Sequence, residues 1–294
     1  MMKGKLIIKL AAVLAMTLFA GSALAAGFNS MQEKKLGQGT VQVYDFGALK
    51  LHAYQTDDPM HDASFLLETT KNLVAMESPS FDADIAEWKS YVGSLGKPLT
   101  DILLSYHPTG GKWYGDAKSH ATAKAKQAMT AGATKELIAN LSQTFGAGFN
   151  TQIPAIDSLL KAGANTVGGI DVKIIEAGDG YDIALPAIKV IYTHMLGADT
   201  HSILAGQEHI KAVLASLESM KANSYVLILS SHHTPETLAD VDTKIAYIKA
   251  VQTLAAQSSD RDDFVARVKK AFPDYAGLNY LDMTAGFMFA KEAN

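Results

Sequence analysis

The stretch "LTDILLSYHPTGG", from Leu99 to Gly111, joins a strand to a polar loop. Its continuous aliphatic run is typical of a strand that other layers cover on both faces. The run ends in Ser-Tyr-His-Pro, and the following Gly-Gly pair permits a sharp turn of the backbone. This order predicts that His107 stands at the carboxyl end of a strand, where ligands collect in sheets covered by helices.

Two later stretches repeat this arrangement. "AIKVIYTH" ends in His194, and "YVLILSSHH" ends in His232 and His233. Imidazole nitrogen suits zinc or iron, and a catalytic zinc ion uses three protein ligands and one open position. We therefore predict that His107, His194 and His232 converge on one metal ion, with His232 preferred to His233. The competing interpretation is that polar residues simply cluster where buried strands reach the surface.

Strand patterns precede this region, and helices alternate with strands after it. Alternation with period two predicts strands over 40–46 and 48–55, followed by a hairpin of "SFLLET" and "NLVAMES". Amphipathic spacing predicts helices, of which the main ones cover 81–96, 134–146, 205–223, 235–257 and 260–272. Thr234 or Pro235 is expected to begin the fourth of these helices, directly after the two histidines. The sequence therefore predicts an α/β protein of packed layers.

The N-terminus has the pattern of a secretory signal peptide. Lys3, Lys5 and Lys9 precede a short apolar run, and the small residues around Ala25 fit an A-x-A cleavage site. The run is shorter than the roughly 20 residues that a membrane span needs. We therefore expect residues 1–25 to be a signal peptide and residues 26–294 to be one periplasmic or secreted domain.

Composition excludes several classes of function. The chain has no cysteine, which excludes disulfides, thiolate metal ligands and a cysteine nucleophile. Its formal charge of −4 gives no basic surface for nucleic acid. The motifs of serine hydrolases, nucleotide-binding loops and zincins are absent as well. The remaining expectation is a small-molecule substrate or ligand, with no nucleic-acid partner and no stable membrane span.

The order of these segments resembles the metallo-β-lactamase superfamily over most of the chain, from about Val41 to Lys270. The resemblance rests on the hairpin "SFLLETTKNLVAMES" and on the stretches "LTDILLSYHPTGG", "AIKVIYTHMLGADTHSIL" and "YVLILSSHHTPET". It implies an αββα four-layer sandwich with a metal site at one edge, used in most members for hydrolysis.

The chain departs from the family pattern at its metal ligands. The family motif T-H-x-H-x-D-H-x-G-G is contracted, so that only His107 remains of its three histidines and its aspartate is missing. The region "EAGDGYDIAL" contains no histidine, and Thr193-His194 stands where the family has Gly-Asp. The resemblance therefore implies at most one ion, zinc or another divalent metal, in place of the usual pair.

Further residues are candidates for catalysis or for the substrate pocket. Asp179, Asp182 or Asp199 is expected to supply an oxygen ligand or a general base, and His201 and Tyr106 to take part in acid–base chemistry. Side chains expected to line the substrate pocket are His120, Trp113, Tyr114 and His233.

Three interpretations remain open at this point. The first is a possible metal-dependent hydrolase with a single, histidine-rich site. The second is a periplasmic binding or scaffold protein that keeps the fold without metal or catalysis. The third is metal-free acid–base chemistry by the histidines and Tyr106.

Overall fold

The computed structural model describes residues 17–19 and 27–290. Its first sheet has nine strands that neighbour one another in chain order. They are β1 (Thr17–Phe19), β2 (Ser30–Lys35), β3 (Gly39–Asp45), β4 (Lys50–Thr56), β5 (Ala63–Glu68), β6 (Leu73–Met76), β7 (Leu99–Leu103), β8 (Lys118–Thr122) and β9 (Ser158–Leu160). Neighbouring strands are antiparallel up to β6, and β6 to β9 are parallel.

The second sheet has six strands, also in chain order. They are β10 (Gly163–Val167), β11 (Ile170–Ala177), β12 (Gly180–Leu185), β13 (Val190–Thr193), β14 (Leu227–Ser230) and β15 (His233–Glu236). Only β13 and β14 run parallel, so their carboxyl ends lie at the same edge of the sheet.

Seven α-helices accompany the two sheets in the described chain. They are α1 (Asp82–Ser94), α2 (Ala123–Ala131), α3 (Ala133–Phe145), α4 (Gln207–Ala222), α5 (Leu238–Gln257), α6 (Arg261–Ala271) and α7 (Leu278–Met288). None of the helices in these residues is both long enough and apolar enough to cross a membrane.

The second sheet is buried on both faces, because successive side chains of a strand point in opposite directions. In β13, Val190 and Tyr192 join a hydrophobic cluster shared with the first sheet, whereas Ile191 joins a second cluster. That second cluster holds apolar residues of α4 to α7, among them Ile210 and Phe264. Continuous aliphatic strands therefore serve two cores, and the predicted α/β sandwich of covered sheets is confirmed.

Helix α1 covers the outer face of the first sheet. Trp88 is fully buried and stacks on Tyr54 of β4, with ring centroids 5.0 Å apart. Ile85, Tyr91 and Val92 lie on the same buried side of the helix, as their spacing predicts.

The helix after the two histidines begins later than predicted. His233 to Glu236 form the short edge strand β15, and helix α5 begins only at Leu238. Thr237 stands before the helix, and its backbone N–H donates to the Asp240 carboxylate at 2.7 Å, as in a capping box. Proline is compatible with an edge strand as well as with a first helical turn, which explains the error. In the described chain, no helix therefore begins directly after His232 and His233.

The strand before His107 is shorter than predicted, and some elements were not predicted at all. Strand β7 ends at Leu103, so His107 lies on the loop that follows the strand. His120 lies in strand β8, and neither this strand nor helix α7 had a predicted counterpart. The division into a signal peptide and one domain stays a prediction, since residues 1–16 and 20–26 lie outside the described residues.

The two-core arrangement gives a stability prediction. Ile228 of β14 is fully buried in the cluster of α4 to α7, so Ile228→Ala should lower the free energy of unfolding by about 2–5 kcal/mol. Leu159→Ala is the control, because Leu159 is 55% exposed and should change stability by about 0.5 kcal/mol or less. Urea unfolding measures both values, and equal losses in the two variants would contradict the described packing.

Candidate metal centre

Three histidines from three loops meet at one edge of the two sheets. His107 follows β7, His194 follows β13 directly, and His232 lies in the turn between β14 and β15. Each offers a ring nitrogen, and these nitrogens all lie within 4.8 Å of one another. The ring centroids are 4.7 Å apart for His107 and His232, and 5.6 Å apart for His194 and His232. The structure therefore brings together the three residues predicted as ligands.

A buried carboxylate orients two of these rings. Asp62, which is fully buried just before β5, places Oδ1 3.3 Å from Nδ1 of His107 and 3.4 Å from Nδ1 of His232. Neither carboxylate oxygen has a hydrogen-bond partner by geometry among the described residues, so these contacts are electrostatic. Nδ1 of His232 is hydrogen-bonded to the backbone carbonyl of Met60 at 3.0 Å. Since Nδ1 of each ring faces Asp62, Nε2 remains as the nitrogen available to a ligand. A carboxylate behind a metal-binding histidine is the usual way to fix its orientation.

The contacts between Asp62 and the histidines also shift the pKa values of Asp62 and His107. Burial alone would raise the pKa of Asp62, but His107 and His232 lower it well below its usual range. Burial opposes the charged form of His107, yet the neighbouring Asp62 raises its pKa above the ordinary value. Both directions describe a carboxylate that holds a proton on the Nδ1 side of His107.

The third ring has a different environment. His194 lies on the floor of a cavity, open to it on one side, and stacks on Tyr106 with centroids 4.7 Å apart. Desolvation by the surrounding protein, with His107 and His232 close by, lowers the pKa of His194 to about 3. A neutral imidazole is the form that metal ligation requires.

The spacing of the three ring nitrogens is close to that required by a single bound ion. Nitrogens bound at about 2.0–2.1 Å to a tetrahedral ion lie about 3.4 Å apart, so a small closure of this cluster would accommodate one. Among the described residues it is the only group of three histidine or carboxylate ligands that could hold a metal ion. The set of three nitrogens with one open side is typical of a catalytic zinc site.

The loop that carries His107 is held by a second buried carboxylate. Glu77 follows β6, is fully buried, and accepts the backbone N–H groups of Ser105, Tyr106 and His107, the last at 2.9 Å. It also accepts the hydroxyl of Tyr192 from the second sheet, at 2.8 Å. Glu77 adopts a left-handed backbone conformation with φ of 61°, which is uncommon for a residue other than glycine. The position of His107 therefore depends on this carboxylate.

A third carboxylate holds the loop that carries His194. Glu236, at the end of β15, accepts the backbone N–H groups of Gly197 and Ala198 at 3.0 and 2.8 Å. It also accepts the Ser230 hydroxyl at 3.0 Å, beside the turn that carries His232. One acidic side chain thus connects the supports of two of the three histidines.

A cavity of about 970 Å³ opens over the three rings. Of the other predicted site residues, Tyr106, Asp179 and His233 line it. Tyr106 donates its hydroxyl to Oδ1 of Asp182 at 2.9 Å, and a side chain at Gly180 would overlap its ring. Asp182 itself lies behind Tyr106 in β12, where burial raises its pKa to about 6.

Two other predicted site residues are absent from the cavity lining. Asp199 is exposed on the loop after His194, where its carboxylate accepts the hydroxyl of the adjacent Thr200 at 3.3 Å. His201 is fully buried behind this loop and pairs through Nδ1 with the Tyr247 hydroxyl at 2.9 Å.

The remaining pocket predictions are corrected by the structure. His120 lies in β8 and pairs with Asp101 at 2.7 Å, away from the residues that line the cavity. Trp113 and Tyr114 belong to the core shared by the two sheets, and Trp113 donates its ring N–H to Ser78 at 2.7 Å. Aromatic residues after a loop suit a core edge as well as a pocket wall, and here they form the core.

The three carboxylates Asp62, Glu77 and Glu236 were not predicted as site residues. Their only signal in the sequence is an acidic residue directly beside an aliphatic strand, as in "LVAMES". Such a residue must find donors when it is buried, but the sequence does not show which donors the fold supplies.

The Glu77 contacts give a second prediction. In Glu77→Gln, an amide N–H₂ would face backbone N–H donors, so about 1–3 kcal/mol should be lost for each buried group left unpaired. Urea unfolding gives the loss, and Glu218→Gln serves as the control because Glu218 is an exposed helical residue 3.7 Å from Lys221. A Glu77 variant as stable as the control would contradict the role of this carboxylate.

The architecture is similar to that of several proteins of known structure. No family model and no curated protein matches the sequence. A double mutant of the sec-alkylsulfatase PisA1 aligns with 93% of this chain and 53% of its own, with 14% identity and a TM-score of 0.57. The stereoselective inverting sec-alkylsulfatase Pisa1 from Pseudomonas sp. gives 82% and 50% coverage, 16% identity and a TM-score of 0.54. A metallo-β-lactamase from Erythrobacter litoralis gives 74% and 99% coverage, 12% identity and a TM-score of 0.49.

The present chain spans about half the length of the two sulfatase structures, and identities this low establish the fold without the activity. The sulfatase is a protein of the metallo-β-lactamase fold. The likeness therefore shows that this chain has the same fold.

Proposed function

We propose that this protein is a metal-dependent hydrolase that holds one divalent ion, zinc in the first place, with His107, His194 and His232. The observation that carries the proposal is the convergence of three imidazoles at the floor of one cavity. Three imidazole nitrogen donors without thiolates suit zinc and leave one position open for water or substrate.

The donor set supports one ion rather than two. The described residues contain no second group of three ligands, and the aspartate of the family motif is missing from the loop around His107. When bound, such an ion supplies Lewis acidity and lowers the pKa of a coordinated water.

The chain's own residues prepare the site. Asp62 lies against the Nδ1 side of His107 and His232, which leaves Nε2 of each ring available to a ligand. Glu77 and Glu236 hold the loops on which the rings are mounted, so little reorganisation is needed when substrate arrives.

Among the three aspartates considered for acid–base chemistry, Asp179 is the one that lines the cavity. It lies in the turn between β11 and β12, and we assign it the role of accepting a proton from the attacking water. Tyr106 keeps its phenolic proton, because burial and the adjacent Asp182 raise its pKa. Its ring supports His194 from one side.

We further infer that the protein is exported. The basic, apolar and small-residue pattern over residues 1–25 supports cleavage after Ala25. Strand β1 (Thr17–Phe19) lies within this segment and pairs only with β2, at the edge of the first sheet. Its removal would leave the cavity and the three histidines in place.

Export is testable by mass spectrometry of the protein recovered from the periplasm or medium of the cells that make it. The expected mass is that of a chain beginning at Ala26, because signal peptidase cleaves after small residues in the A-x-A positions. Recovery of only the full-length chain from the cytoplasm would overturn this inference.

Metal binding is testable by elemental analysis of untagged protein after dialysis against zinc. The wild-type chain should retain about one equivalent, whereas His194→Ala should bind at least about 100-fold more weakly because a ligand is lost. His194 suits this test because its ring has no hydrogen-bonded partner that the variant would leave unpaired in the described structure.

The matched control is His209→Ala, since His209 is an exposed residue of α4 that does not line the cavity. It should bind zinc like the wild type. If neither wild type nor control takes up zinc, iron or manganese, the metal hydrolase is excluded and the metal-free binding protein becomes the better interpretation.

A further inference from the structure

Helix α3 presents an apolar face that neither hydrophobic core uses. Leu137, Ile138, Leu141 and Phe145 lie on one side of the helix and line the cavity over the three histidines. None of these four residues belongs to the cluster between the sheets or to the cluster of α4 to α7. Leu137 is 55% exposed, although a leucine at the surface gains nothing from contact with water. This wall continues to Phe149, whose ring centroid lies 5.9 Å from that of Phe145.

The cavity therefore has two chemically different ends. The polar end contains His107, His194, His232 and Asp179, and the other end is the apolar wall of α3. A volume of about 970 Å³ is at the upper limit for small-molecule sites, which leaves room for an extended apolar group beside the centre.

The polar end also lacks the residues that recognise an anionic head group. No lysine or arginine is found among the described residues that line the cavity. The nearest ion pair at its rim joins Lys124 to Asp179 at 3.9 Å, so that this cation already faces a carboxylate. Sulfate and phosphate groups in proteins are held by arginine forks or lysines. The lining is therefore better suited to an uncharged head.

We propose that the substrate class is an uncharged carboxylic ester whose apolar chain lies against α3, an inference that rests on the hydrolase function proposed above. The ester carbonyl stands at the three-histidine centre. Water adds its oxygen to the acyl carbon, the bond from that carbon to the alkoxy oxygen breaks, and the alkoxide takes up the proton that water released. The products are a carboxylic acid and an alcohol, and no oxidant or reductant is needed.

Binding is tested first on metal-free protein, by titration calorimetry with 2-decanone as an uncharged, non-hydrolysable probe and decyl sulfate as its anionic counterpart. The ketone should bind more tightly than the sulfate. Leu137→Gln should weaken ketone binding by about three- to tenfold, since one apolar contact of about 1 kcal/mol is lost. Leu159→Gln is the matched control, because Leu159 is equally exposed at 55% but lies in β9 outside the cavity lining. This variant should bind 2-decanone with the affinity of the wild type.

Hydrolysis is tested separately on zinc-loaded protein with 4-nitrophenyl octanoate and 4-nitrophenyl acetate. The octanoate should have the higher kcat/KM, and Leu137→Gln should reduce this preference mainly through KM. Tighter binding of decyl sulfate, or a Leu137 variant that binds the ketone like the control, overturns the ester proposal. Ketone binding without hydrolysis of either ester supports the apolar subsite and overturns the hydrolase function itself.

Discussion

The buried carboxylate of Glu77 is the contact on which the arrangement of the two sheets at the site depends. An ionised carboxylate inside a protein is stable only when its oxygens are hydrogen-bonded. Here the donors are three consecutive backbone N–H groups of the loop after β7 and the Tyr192 hydroxyl of the second sheet. Satisfying this one charge fixes the course of the loop after β7 and ties it to β13. The spacing between His107 and His194 follows from that connection.

Acidic side chains also support the other two histidine-bearing loops. Asp62 lies between the rings of His107 and His232, and Glu236 holds the loop after His194. Each imidazole is therefore supported by an acidic residue from another part of the chain. Such support is what keeps a reactive group within the narrow range of positions that catalysis tolerates.

The sequence predicted the site best where a candidate ligand directly follows a recognisable strand pattern. Strands that are followed by a histidine-bearing loop could be recognised from aliphatic runs, and parallel neighbours such as β13 and β14 bring their carboxyl ends together. The carboxylates could not be recognised, because their donors come from distant segments. Pro235 does not distinguish an edge strand from a helix start, since both tolerate proline. His120 and Trp113 were placed wrongly for a similar reason, because polar and aromatic residues near a loop serve a core equally well.

The origin of the three rings from both sheets has a consequence for how the protein folds. Contacts between segments so far apart in the chain form late, after the entropy of closing the long intervening loops has been paid. A chain in which the sheets have not yet closed on each other has no centre at all. An ion would then recognise only the finished molecule, and its binding free energy would add directly to the stability of that state. The occupancy of the centre would report whether the two halves of the sandwich have met.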